Sequence, residues 1–407
     1  MTLIDTQTEL PPQDLRDTAR QERHSLRRLA GEITDNARLQ ACGATPTGPT
    51  VEIWREGGGA HFRGLETCGS IWQCPVCSNK ISNRRADEVQ ELADAHEKAG
   101  GAVYMATFTL RHHAFNKCRS LRDTVAQAWQ KMQAGAPWAR LKNRYGIAHT
   151  VRALEVTHGR NGWHPHIHVL LLTERALDDT EAEMLRLDLF ERWETRIRKL
   201  GGSSEIGAFD LRRASTGAEA AAYVAKWGAG HEIAKGAQKE AAGRSVWNLL
   251  KASEHDDGAA RLFREYAKAF FRARHLTYSK GSREAYDLRY PATDAELAID
   301  GKSEGETIDK ETGEVLCAES GRVALLDFGT WRRICTKGLT GALLDAAAEG
   351  GSEGVTRFLN LHDCHSYYDA REHPAPNYAP PPAPRRRAFD PYGSFSHWQD
   401  VADFEEA

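Results

Sequence analysis

Gly162-Trp163-His164-Pro165-His166-Ile167-His168-Val169-Leu170-Leu171-Leu172 is the stretch that decides how this chain folds. Ile167, Val169 and Leu171 alternate with His166, His168 and Leu170, which is the period of a strand, where successive side chains point to opposite faces. His166 and His168 therefore share one face, and Ile167 points into the core. Two neutral imidazoles held at a fixed separation by a sheet are ligands for one divalent cation. A single histidine on a polar sheet face needs no such role, so the pair takes its meaning from what precedes and follows it.

Upstream, residues 149–156 read as a second strand, with Val151 and Ala153 alternating with Arg152, Leu154 and Val156. The turn signal His158-Gly159-Arg160-Asn161-Gly162 joins the two strands as a hairpin. A loop from Gly159 to Gly162 sets His158 opposite Trp163 and Glu155 opposite His166. Glu155 is then the third ligand, giving two imidazoles and a carboxylate with positions left open. A slip of one residue would turn Glu155 to the other face, so this ligand depends on register.

Downstream, residues 217–227 are alanine-rich and free of breakers, with Gly228 and Gly230 to end a helix. Glu219, Tyr223 and Lys226 fall at i, i+4 and i+7 and share one face. Nearer the start of the chain, Cys68, Cys74, Pro75 and Cys77 form a CPxC with a third cysteine six residues before it, and Cys42 lies further upstream. Four thiolates close a tetrahedral Zn²⁺ site that contributes folding energy outright. Cys42 is the expected fourth ligand, and His61 is its rival.

Three segments in this order, Thr107-Phe108-Thr109-Leu110, then His164 to Leu171, then Ala222-Tyr223-Val224-Ala225-Lys226-Trp227, resemble the motifs of rolling-circle replication initiators of bacterial plasmids, in the HUH endonuclease superfamily. Their ordered co-occurrence makes the resemblance specific, and it runs from Cys42 to Trp227. It implies that His166 and His168 hold a catalytic Mg²⁺ or Mn²⁺ and that Tyr223 is the nucleophile that nicks one DNA strand. It also implies a role for Glu219, one turn before the single tyrosine. Position 227 is Trp, so the second tyrosine of the phage-type relatives is absent. Relatives with a cysteine cluster ahead of the nicking domain share the layout seen here.

The chain has 407 residues and a net charge of −3, so overall charge does not by itself point to a nucleic-acid partner; a local basic surface can coexist with acidic segments. Eight cysteines, several clustered, argue for metal binding rather than disulfides. No apolar run reaches a membrane span and no leader pattern opens the chain, so a bacterial cytoplasmic protein with no membrane partner is expected. The expected layout is a polar leader at 1–37, a zinc-binding module at 38–80 and a nicking domain at 81–230. A helical basic region at 231–290, an acidic linker at 291–322, a helical segment at 323–372 and a Pro/Arg-rich flexible tail at 373–407 follow. The fold class is α+β, an antiparallel sheet with helices on one face and the site on the open one. Arg261, Arg264, Lys268, Arg272, Arg274, Lys280 and Arg283, interleaved with aromatics, are the candidate grip on origin DNA.

The expected chemistry is transfer of a phosphodiester to Tyr223. It is assisted by the cation at His166, His168 and Glu155 and by Lys226, and it leaves a 5′-phosphotyrosine and a 3′-hydroxyl primer. Glu219 would then activate water to end the round. The partners implied are plasmid origin DNA and the host helicase and polymerase. An HUH transposase or relaxase shares the chemistry, whereas a non-enzymatic zinc-dependent DNA binder predicts binding without cleavage. An Fe²⁺ oxygenase built on two histidines and a carboxylate leaves the cysteines and the Tyr223 helix without a purpose.

Overall fold

The computed structural model describes residues 13–34, 36–56, 59–225, 244–286, 288, 293–299 and 321–364. In chain order the elements are α1 (Gln13–Ile33), α2 (Ala37–Ala41), β1 (Thr50–Glu56), β2 (Gly59–Arg63), α3 (Pro75–Lys98), β3 (Ala102–Phe108), α4 (Cys118–Met132) and α5 (Gly135–Tyr145). Then come β4 (Ile147–Gly159), β5 (Gly162–Thr173), α6 (Asp179–Lys199), β6 (Asp210–Arg213), α7 (Gly217–Ala225), α8 (Val246–Ala252), α9 (Asp257–Phe270) and β7 (Leu276–Tyr278). The last are α10 (Asp294–Ile299), β8 (Gly321–Asp327), α11 (Phe328–Thr336) and α12 (Thr340–Leu361).

The hairpin forms the middle of a five-stranded antiparallel sheet ordered β6-β3-β5-β4-β7. Its register is the expected one: His158 opposes Trp163, Glu155 opposes His166, and Gly159 opposes Gly162 across the Arg160-Asn161 turn. Gly162 closes that turn at φ 85°, and a Cβ there would come within 2.9 Å of Ala114 Cα. One face carries Ile167, Val169, Leu171, Leu154 and Phe108, buried with residues of α4 and α6 such as Val125, Trp129, Leu189 and Trp193.

The α+β class and the antiparallel sheet hold, but helices cover both faces. The face expected to be open carries Met105, Val151, Ala153, Leu170 and Leu172, which pack with Val89, Leu92 and Ala93 of α3 and Ala220, Ala221, Tyr223 and Val224 of α7. The reason lies in β5 itself, where Leu170 and Leu172 follow the histidines on the same face and must be buried.

Three further segments depart from expectation. The polar leader contains α1, with Ala19, Leu26 and Ala30 buried together with Arg20, Arg23 and Arg27. Arg20 Nη1 meets Asp345 Oδ1 of α12 at 2.7 Å inside the protein. Residues 276–278, expected within a helical region, add a strand to the edge of β4. The segment after the acidic stretch opens with β8, which pairs with β1 in a three-stranded sheet ordered β2-β1-β8, so the residues around the cysteines are completed from far along the chain. Helix α3 runs through the expected boundary at residue 80. The 373–407 tail lies outside the described residues.

Candidate functional site

Two side-chain clusters among the described residues have the donor sets of metal sites, and both consist of residues expected from the sequence. The first is Cys42, Cys68, Cys74 and Cys77, all buried. Cys42 Sγ lies 3.8 Å from Cys74 Sγ and 3.6 Å from Cys77 Sγ, and Cys68 Sγ lies 3.7 Å from Cys77 Sγ. Thiolates about 2.3 Å from a tetrahedral Zn²⁺ sit about 3.8 Å apart, so these three separations match such a site, and all four sulfurs lie within 4.8 Å of one another. Cys74 is the N-cap of α3, Pro75 takes the first turn, and Cys77 donates its backbone N–H to Cys74 Sγ at 3.4 Å. Proline at that position needs no hydrogen bond, and the helix N-terminus favours anionic sulfur. Cys42, not His61, is the fourth member: His61 lies outside the cluster, with Arg63 Nε donating to its Nε2 at 3.3 Å.

The second cluster is Glu155, His166 and His168, brought together by the hairpin register. His166 Nδ1 donates to His164 O at 3.1 Å, so in the neutral ring that binds a cation the lone pair of Nε2 faces Glu155 Oε2 at 3.2 Å. His168 Nε2 approaches the same oxygen. Glu155 Oε2 is buried and makes no hydrogen bond of acceptable geometry. An oxygen and two imidazole nitrogens converging in this way fit a divalent cation. Burial opposes the charge of Glu155, but His166 and His168 overcome it and hold the carboxyl well below its ordinary range. Burial likewise opposes the charge of His166, and Glu155 outweighs it and raises that imidazole.

Tyr223 is carried to this cluster by α7. Its ring stands edge-on to His168, with centroids 4.5 Å apart and planes at 67°. Its hydroxyl is 2.5 Å from Thr107 Oγ1, which in turn is 3.2 Å from His168 Nδ1. Burial pushes the phenol pKa well above its ordinary value, Asp210 adds to this, and Thr107 and Arg212 oppose it. Glu219 lies one turn earlier, as expected, but its carboxylate does not address the Tyr223 hydroxyl. It accepts from Ser215 N and Ser215 Oγ, both at 2.7 Å, and from Arg212 Nη1 at 2.6 Å. These bonds to Ser215, then Arg212, keep it ionised below the usual carboxylate range. Arg212 also lies over the Tyr223 ring, 5.8 Å from its centroid. Lys226 lies outside the described residues.

Sequence reasoning left Thr107 and Arg212 without a role. Thr107 was visible as the one aliphatic hydroxyl in the strand Ala102–Phe108; Arg212 had no such mark, because β6 reaches the site only by pairing with β3. His112 packs against His164 rather than joining the candidate metal cluster, with centroids 4.8 Å apart and planes at 50°. Of the seven cations proposed to grip DNA, Arg283 is paired with Glu88 at 2.8 Å and Arg264 donates to Ile33 O at 2.9 Å, so these two serve the fold.

No helix among the described residues is long and apolar enough to cross a membrane. Two curated proteins from Streptomyces are similar to part of the chain. A neomycin resistance protein of Streptomyces cyanogenus is 33% identical over 193 residues, 40% of this chain and 44% of that protein. A Rep protein of Streptomyces lividans is 35% identical over 136 residues, 27% of this chain and 30% of that one. The chain thus spans less than half the length of these relatives. No solved structure matches it. The profile of a family described as replication protein matches residues 62–290, a span that holds the paired histidines, Glu155 and Tyr223, and the chain belongs to that replication protein family.

Proposed function

We propose that this protein initiates plasmid replication in the bacterial cytoplasm by nicking one strand of the origin and attaching to it through Tyr223. The observation that carries the reading is the continuous chain from Glu155 and the two imidazoles, through Thr107, to the Tyr223 hydroxyl. Family membership supports it, because a replication protein that acts on an origin has use for a buried nucleophile beside a cation site. Bound Mg²⁺ or Mn²⁺ would polarise the scissile phosphate and offset its developing charge, a contribution of several kcal/mol.

The side chains have separate tasks. Thr107 orients the phenol, and Arg212 brings positive charge to its ring. Tyr223 Oη bonds to phosphorus as the bond from phosphorus to the 3′ oxygen breaks; the phenol loses its proton to water, and the departing oxygen gains one. The products are a 5′-phosphotyrosine and a 3′-hydroxyl that primes a polymerase. Glu219 is the base for the water that ends the round, after exchanging its bond to Arg212. Lys226 would assist the departing oxygen, and Cys42, Cys68, Cys74 and Cys77 would hold a Zn²⁺ that contributes folding energy to the segment they close. The host helicase and polymerase would act on the nicked product.

The test mixes purified protein, Mn²⁺ and a labelled single-stranded origin oligonucleotide, and looks for a protein band linked to DNA. The band should form and should vanish in Tyr223→Phe. An adduct that survives in that variant removes the nucleophile assignment, and origin binding without any cleavage favours a zinc-dependent DNA binder instead.

A further inference from the structure

Beside the proposed cation site, two loops meet and present an unusual set of side chains. Residues 111–117, Arg-His-His-Ala-Phe-Asn-Lys, follow β3, and residues 158–164, His-Gly-Arg-Asn-Gly-Trp-His, form the hairpin turn. They are locked together. His112 Nδ1 donates to Asn161 O at 2.9 Å, and the backbone of Ala114 lies so close to Gly162 that no Cβ fits there. The first loop is a closed turn, since Asn116 N donates to His113 O at 2.9 Å and His113 N donates to Asn116 Oδ1 at 2.7 Å.

At the tip of that turn Phe115 is 96% exposed. A single exposed ring carries no meaning by itself; this one takes its meaning from the groups around it. The surroundings name the ligand. A row of rings leads from the loop to the nucleophile: His112 to His164 at 4.8 Å, His164 to His166 at 4.9 Å, His166 to His168 at 5.0 Å, and His168 to Tyr223 at 4.5 Å. Neither loop contains a carboxylate. Lys117 and Arg160 are exposed on them and have no ion-pair partner among the described residues, whereas Arg111 is held by Glu205 at 2.8 Å. Glu265 accepts the backbone N–H of Cys118 at 2.9 Å and is not paired with Lys117 or Arg160. Two exposed cations on loops that themselves carry no carboxylate fit a phosphate backbone, and an exposed aromatic ring fits an unpaired base, which stacks whatever its sequence.

We infer that the rim built from residues 111–117 and 158–164 is a cradle for single-stranded DNA next to the scissile phosphate, with Phe115 stacking on a base and Lys117 and Arg160 on the backbone. This inference rests on the reading of Tyr223 as a nickase nucleophile, because that places the phosphate at the other end of the ring row. The hairpin turn thus has two tasks: its register builds the cation site, and its tip backs the loop that holds the strand.

The test measures binding separately from cleavage. The full chain carrying Tyr223→Phe is titrated, by fluorescence anisotropy, into labelled dT12 and into a 12-mer of the same backbone made entirely of abasic sites. Adding Phe115→Ala should weaken dT12 binding about five- to a hundredfold, the loss of one stacked base, and leave the abasic 12-mer unchanged. Phe115→Trp should restore dT12 binding. Lys117→Met with Arg160→Met should weaken both oligonucleotides alike and lower the salt dependence. Unchanged dT12 binding by Phe115→Ala, or an equal loss on both oligonucleotides, overturns the stacking role. Because no step requires nicking, a protein that stacks bases yet never forms an adduct would refute the nickase reading and leave the cradle standing.

Discussion

Thr107→Val is the substitution that most directly examines the proposed site. Valine has the shape of threonine and suits a strand, so β3 should keep its packing, and only the hydroxyl is lost. That hydroxyl makes two bonds, at 2.5 Å to Tyr223 and 3.2 Å to His168. Each is worth about 0.5–1.5 kcal/mol net, so removing both withdraws roughly 1–3 kcal/mol of positioning. If that energy acts in the transition state, the rate of adduct formation falls about fivefold to a hundredfold. The assay is single-turnover formation of the covalent adduct at saturating Mn²⁺, with oligonucleotide affinity and thermal melting measured on the same preparation. The expected result is a slower rate with unchanged affinity and a melting temperature within a few degrees of the parent protein. Parental rates would show that the bridge from His168 to Tyr223 has no part in the chemistry. A matching loss of affinity or stability would make Thr107 a packing residue instead.

Three further outcomes follow from the geometry. Glu219→Ala should still form the adduct but terminate poorly, measured as products longer than one plasmid length in a replication assay; normal termination would remove the water-activating role. Glu155→Ala deletes the carboxylate on which both imidazoles converge, so Mn²⁺ affinity, read by calorimetry, should fall at least tenfold while the circular dichroism spectrum is kept. Cys74→Ser, which removes both a thiolate and the N-cap sulfur of α3, should lower bound zinc measured by elemental analysis and lower the melting temperature, and a strong chelator should do the same to the parent protein. Full zinc content in Cys74→Ser would exclude the four-thiolate site.

The two candidate metal clusters were legible because their determinants are local. A turn of known length pins the register of the strands it joins, so placing Glu155 opposite His166 required only residues 149–168 in order. Cys74, Pro75 and Cys77 lie within one helical turn, and their spacing alone brings two sulfurs to one point. Cys42 was reached by counting thiols, since a tetrahedral site needs a fourth.

What the sequence determined by itself, then, is the hairpin, its expected register, the candidate donors of both sites with His61 still a rival to Cys42, and a helix with Glu219 and Tyr223 on one face. Only the tertiary structure decided that α7 lies across the histidine face, that Thr107 links His168 to Tyr223, and that Arg212 occupies Glu219. It also decided that β7 and β8 complete sheets begun far earlier in the chain. The physical reason is one of range. Side-chain period and turn length act over a few residues and are written in order along the chain. Strand partners and helix packing are chosen by which apolar faces remain to be buried once every local element has formed.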